Sequence, residues 1–95
     1  MTAGPNHAIR AHITGQVQGV SFRAWTQSRA RALGLDGWVR NESDGSVTAL
    51  VSGEASAIAE MVEALHIGPR WAKVTAVDIE PTQISEVSSG FRITR

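Results

Sequence analysis

Two helices lying on one face of an antiparallel sheet, an α+β sandwich, are what this 95-residue sequence predicts. Three observations lead there. The hydrophobic period runs at two residues, then at three to four, and the same change occurs a second time further along, so strands and helices alternate. Two short strand-like runs are joined by Glu42-Ser43-Asp44-Gly45, a hairpin signal that makes those strands antiparallel. A chain of this length, with 42% hydrophobic residues, holds one modest core and leaves no room for a second, so residues 1–95 are expected to form a single domain.

Taken in order, His7 to Thr14 places Ile9, Ala11 and Ile13 on one side and Arg10, His12 and Thr14 on the other, the alternation of a half-buried strand. From Phe22 the period lengthens. Phe22, Thr26, Ala30 and Leu33 share a helical face flanked by Trp25, and Gly34-Leu35 supplies a Schellman stop, giving a helix over residues 22–33. Gly37–Asn41 and Ser46–Val51 are the hairpin strands. Ile58, Met61, Val62 and Leu65 recur at helical spacing ahead of Gly68-Pro69, predicting a second helix over residues 54–66. Val74 to Glu80 is β-branched-rich and halted by Pro81. A polar loop with Ser85, Ser88, Ser89 and Gly90 then leads to Phe91-Arg92-Ile93, a short C-terminal fifth strand. The order βαββαβ plus that strand is the ferredoxin-like split βαβ arrangement, which hosts many activities and so decides none.

Composition narrows the function. No cysteine is present, which removes disulfides, thiolate nucleophiles and cysteine-ligated zinc. The formal net charge is zero, so the chain has no overall attraction for nucleic acid or anionic membranes, and an anion it binds must be held locally. No apolar stretch approaches the roughly 18 residues of a membrane helix. Residues 1–6 lack a basic head and an apolar run; they are read as a disordered end and not a secretion signal, and the chain is expected in the cytoplasm. His7, His12 and His66 are dispersed and make neither a metal site nor a catalytic base.

Gly15-Gln16-Val17-Gln18-Gly19-Val20-Ser21-Phe22-Arg23 sits where the first strand hands over to the first helix. Glycines let a backbone bend at positive φ and crowd its N–H groups, and a helix N-terminus adds unpaired donors in a favourable dipole. Such a loop attracts a small anion. Arg23, in the first helical turn, brings a planar fork that matches two phosphate oxygens.

Together with Ala30, Gly34-Leu35, Gly37-Trp38-Val39-Arg40-Asn41, Asp44-Gly45 and Gly53, this loop resembles the acylphosphatase family, in one register across nearly the whole chain. The resemblance implies hydrolysis of the carboxyl-phosphate bond of small acyl phosphates to a carboxylate and inorganic phosphate, with no metal and no organic cofactor. It implies that Arg23 and Asn41 are catalytic: Arg23 binds the phosphate and Asn41 positions the attacking water. Gln16, Val17, Gln18, Gly19 and Val20 form the phosphate-binding loop with Arg23. Gln16 departs from the arginine or lysine often found there, which removes a positive charge from the loop rim. Inorganic phosphate is the expected product and competitive ligand, and a monomer the expected state.

Alone, Asn41 reads as a turn former before Asp44-Gly45, and only the matching spacing assigns it to a water. Trp38 is placed at the site entrance. RNA-recognition domains share the element order, yet they carry stacking aromatics on central strands, where this chain has Ala11, His12, Ala49 and Leu50.

Overall fold

A computed structural model describes residues 7–83 and 89–94. Their elements are β1 (His7–Gln16), α1 (Phe22–Ala32), β2 (Asp36–Asn41), β3 (Val47–Gly53), α2 (Ala55–Ile67), β4 (Lys73–Pro81) and β5 (Phe91–Thr94). The five strands form one sheet in the order β4-β1-β3-β2-β5. β4, β1, β3 and β2 pair antiparallel, as expected for the ferredoxin-like sandwich, whereas β5 joins β2 in parallel, Gly37 opposite Phe91 and Val39 opposite Ile93. Residues 1–6, read as disordered from the sequence, and Ser85 and Ser88 lie outside the described residues.

Alternation on each strand sorts the two faces. Ile13 opposes Val47, Ala11 opposes Ala49, and Ala49 opposes Val39 on β2. All of these are buried in one cluster with Phe22 and Ala30 of α1 and Ile58, Met61 and Leu65 of α2, so both helices lie on that face. Leu50, facing the other way, is also buried, next in register to Arg10 and Trp38. Long side chains thus shield the open face of the sheet in place of a third layer.

Local chemistry explains the element ends. α1 stops in a Schellman motif: Leu35 N–H donates to Ala30 O at 2.9 Å and Gly34 N–H to Arg31 O at 3.1 Å. The β2–β3 hairpin closes with Glu42 N–H donating to Ser46 O at 2.8 Å and Gly45 N–H to Glu42 O at 3.2 Å, a three-residue loop with glycine at the left-handed position, not a two-residue turn. β5 is tied down from above: Gln27 Nε2 and Arg31 of α1 both donate to Phe91 O, at 3.0 and 3.2 Å. β1 runs two residues past the expected Thr14 because a bulge between Thr14 and Gly15 lets Gln16 pair with Lys73.

One core position violates polar satisfaction. Thr26 is fully buried in α1, and its hydroxyl has no hydrogen-bond partner among the described residues. Thr26→Val keeps the shape and removes a desolvated donor, so it should stabilise the fold by about 1 kcal/mol. For a chain of this size that gain raises the thermal midpoint by about 4–8 °C, which a calorimetric scan of the two proteins measures.

Candidate active site

The chain leaves β1 at Gln16 and enters α1 at Phe22, and the intervening residues are held from two sides. Val17 is buried in the core and Val20 packs against it, so the two valines anchor the loop from below. Gln18 anchors it laterally: its side-chain amide donates to Glu42 O at 2.8 Å and to Ser46 O at 2.9 Å, both in the β2–β3 hairpin. The loop is thereby fixed to the same hairpin that carries Asn41. Gly19 turns at φ +75°, and a Cβ built there would meet no atom within 4 Å. Backbone conformation requires the glycine, not crowding.

Ser21 carries the one positive φ of a non-glycine residue among the described ones, φ 62° and ψ 27°. It caps α1 without a side-chain hydrogen bond, and the first turn contains no acidic residue. A left-handed serine that does not use its hydroxyl as a cap costs about 1–3 kcal/mol of local strain, and strain of this kind gathers at functional sites. The first α-helical bond runs from Trp25 N–H to Ser21 O. The N–H groups of Phe22, Arg23 and Ala24 therefore have no intrahelical acceptor. Among the described residues, no acceptor pairs with the N–H groups of Val17, Gln18, Gly19 or Val20.

These elements border a pocket of about 220 Å³ lined by Val17, Gln18, Gly19, Ser21, Phe22, Arg23, Ala24, Asn41 and Ile93. Asn41 reaches it from the end of β2, on the helix-bearing face two residues beyond Val39. β3 separates β2 from β1, so Asn41 approaches the loop across one strand, not from a neighbouring one. The pocket is smaller than the roughly 300–1,000 Å³ of sites for drug-sized ligands, which suits a compact anion with a short appendage.

Five of the residues expected from the sequence line this pocket together: Val17, Gln18, Gly19, Arg23 and Asn41. Gln16 does not, because the bulge keeps it in the sheet opposite Lys73, and Val20 does not, because its side chain serves the core. Trp38 also departs from expectation. It points to the sheet face away from the helices, where the Arg40 guanidinium stacks 4.7 Å from its ring centroid, and it is not at the entrance. Arg40 in turn bonds Glu42 at 2.8 Å. Ser21, Phe22, Ala24 and Ile93 line the pocket without having been singled out. Ser21 at a helix start reads as an ordinary cap, and nothing in Phe91-Arg92-Ile93 reveals which strand it joins.

Asp44 stiffens the hairpin. It accepts bonds from the Ser46 hydroxyl and from Ser46 N–H, the latter at 2.9 Å. Those two bonds, hydroxyl first, with His12 adding positive potential, hold the Asp44 carboxyl below its ordinary value. Stability from this linkage is present above the unfolded carboxylate range and is lost as pH falls through the lowered pKa.

The class that fold and site define is a ferredoxin-like α+β sandwich whose β1–α1 loop shares a pocket with an asparagine from β2. The acylphosphatase family model matches residues 9–93. An acylphosphatase of Rhizobium etli is 52% identical over 89 residues, 94% of this chain and 95% of that one. One of Salinibacter ruber is 46% identical over 95 residues, the full length of both. The solved acylphosphatase of Coxiella burnetii superposes with a TM-score of 0.89 at 37% identity, covering 94% of this chain and 93% of that one. The chain belongs to the acylphosphatase family, and it is accordingly a hydrolase of the acyl phosphate class.

Proposed function

We propose that this protein hydrolyses small acyl phosphates by direct attack of water on phosphorus, using only its own residues. The observation that carries the reading is the convergence of Arg23, the Val17–Gly19 stretch and Asn41, from three separate elements, on one pocket. The phosphoryl group rests against the loop and α1 N–H groups, with the Arg23 guanidinium on two of its oxygens. Fixed donors there offset the negative charge that repels a nucleophile and that stays spread over the equatorial oxygens in the transition state. The Asn41 amide orients a water opposite the leaving oxygen. The water oxygen forms the new P–O bond, the bond from phosphorus to the acyl oxygen breaks with its electron pair leaving on the carboxylate, and the water's proton passes to a phosphate oxygen. Neither the amide, a very weak base, nor the guanidinium, already fully protonated, can accept that proton, and placement carries the rate.

Phosphate release from benzoyl phosphate tests the reading. Wild type should turn over in the presence of a chelator at an undiminished rate, and inorganic phosphate should compete with substrate. Asn41→Ala should lower kcat by about a hundredfold or more, the scale set by misplacing one reactant. Loss of turnover on chelation refutes the metal-free chemistry, and near-normal turnover by Asn41→Ala removes the asparagine from its role.

A further inference from the structure

We infer that Ile93 is the specificity-determining residue for the acyl side of the substrate, and that the site favours apolar acyl groups, aryl or branched alkyl, over the smallest one, acetyl. This rests on the reading of the pocket as an acyl phosphate site. β5 pairs in parallel with β2, Ile93 opposite Val39, so Ile93 shares the helix-bearing face with Val39 and, two residues on, with Asn41. It lines the same pocket as Arg23 and Asn41. Of the apolar residues there, Val17 and Phe22 are 1% and 2% exposed and belong to the core, whereas Ile93 is 39% exposed. Ile93, with the exposed Ala24 also in the lining, is therefore the apolar surface that a ligand meets. Arg23 belongs to α1 and Gln18 to the loop, whereas Asn41 ends β2, the strand beside β5. β5 is the outermost strand on this side of the sheet. A phosphoryl group held by the loop and Arg23 thus has an apolar shelf within the same pocket for its acyl group to cover. Its carbon skeleton gains from leaving water on contact with isoleucine, and acetyl, with one methyl, gains least.

The test compares kcat/KM for benzoyl phosphate and acetyl phosphate in wild type, Ile93→Ala, Ile93→Thr and Ile93→Leu. Ile93→Thr keeps a β-branched residue in the edge strand, which separates lost contact from a weakened strand. The benzoyl-to-acetyl ratio should fall about five- to fifteenfold in the Ala and Thr variants, through KM for benzoyl phosphate, the effect of withdrawing one or two buried methylene-sized contacts. Ile93→Leu should hold the ratio near the wild-type value. An unchanged ratio in Ile93→Ala and Ile93→Thr, with turnover of both substrates intact or lowered equally, overturns the inference and leaves the acyl phosphatase reading standing. Absence of turnover by wild type on both substrates overturns the inference and the reading on which it rests.

Discussion

Replacing Arg23 by alanine is expected to lower kcat/KM for benzoyl phosphate by about a thousandfold or more, the scale on which an arginine that meets a transferring phosphoryl group acts. The side chain lines the pocket from the second residue of α1. A cation in that position has the wrong sign for the helix dipole, whose N-terminus favours negative charge, so helix stability supplies no reason for an arginine here. A bound anion does. Arg23→Lys should recover little of the loss, because an ammonium keeps the charge but cannot place two parallel donors on two phosphate oxygens. Inorganic phosphate should also inhibit the Ala variant far more weakly than wild type would be inhibited. Urea unfolding checks that the variants remain folded. Near-normal turnover in a folded Arg23→Ala protein shows that phosphate is held by other groups.

How much of this could be read from the sequence varied with how local the cause was. The Schellman stop at Gly34-Leu35, the amphipathic stripe of α2 and the alternation of β1 depend on neighbours a few residues apart, and each was legible. That Arg23 and Asn41 would line one pocket was expected for a different reason: single residues at ordinary positions, they acquired meaning only through a motif spanning 27 positions. What escaped depends on distant pairing. Gln16 was assigned to the loop because no local pattern announces a bulge that keeps it opposite Lys73. Trp38 was placed at the entrance, although strand parity opposite Leu50 puts it on the other sheet face. The parallel addition of β5 is written in four residues too short to carry a direction, so Ile93 could not be placed beside Asn41 in advance. The left-handed Ser21 had no signal at all, since serine before a helix ordinarily means a side-chain cap. The unsatisfied Thr26 hydroxyl was hidden too: a helical threonine usually bonds back to the preceding turn.

The largest stability effect should come from Gly37→Ala, and it separates two costs that a glycine conceals. Gly37 lies in β2 at φ +140°, opposite Val51 of β3 and Phe91 of β5. A Cβ there would stand 1.8 Å from Leu50 O and 3.2 Å from Phe91 Cε2. The first of these atoms is backbone in the centre of the sheet and cannot turn aside, so β2 and β3 must move apart or the ladder must break. Gly34, at the end of α1, also has positive φ, at 71°, but its Cβ would meet nothing within 4 Å. Gly34→Ala therefore carries the dihedral cost alone, about 1–2 kcal/mol. Gly37→Ala carries that cost together with a backbone overlap, and should lose at least about 3 kcal/mol. Against a total stability on the order of 5–15 kcal/mol, this leaves the variant marginal or unfolded at room temperature. Urea midpoints of the two variants measure the difference, provided the m-values agree with wild type. Because Gly37 is four residues before Asn41 on the same strand, a Gly37→Ala protein that still folds should also lose turnover, as β2 carries its asparagine away from the loop. Equal midpoints for Gly34→Ala and Gly37→Ala would mean that the sheet yields around a methyl group at no cost, and that β2 does not hold Asn41 rigidly.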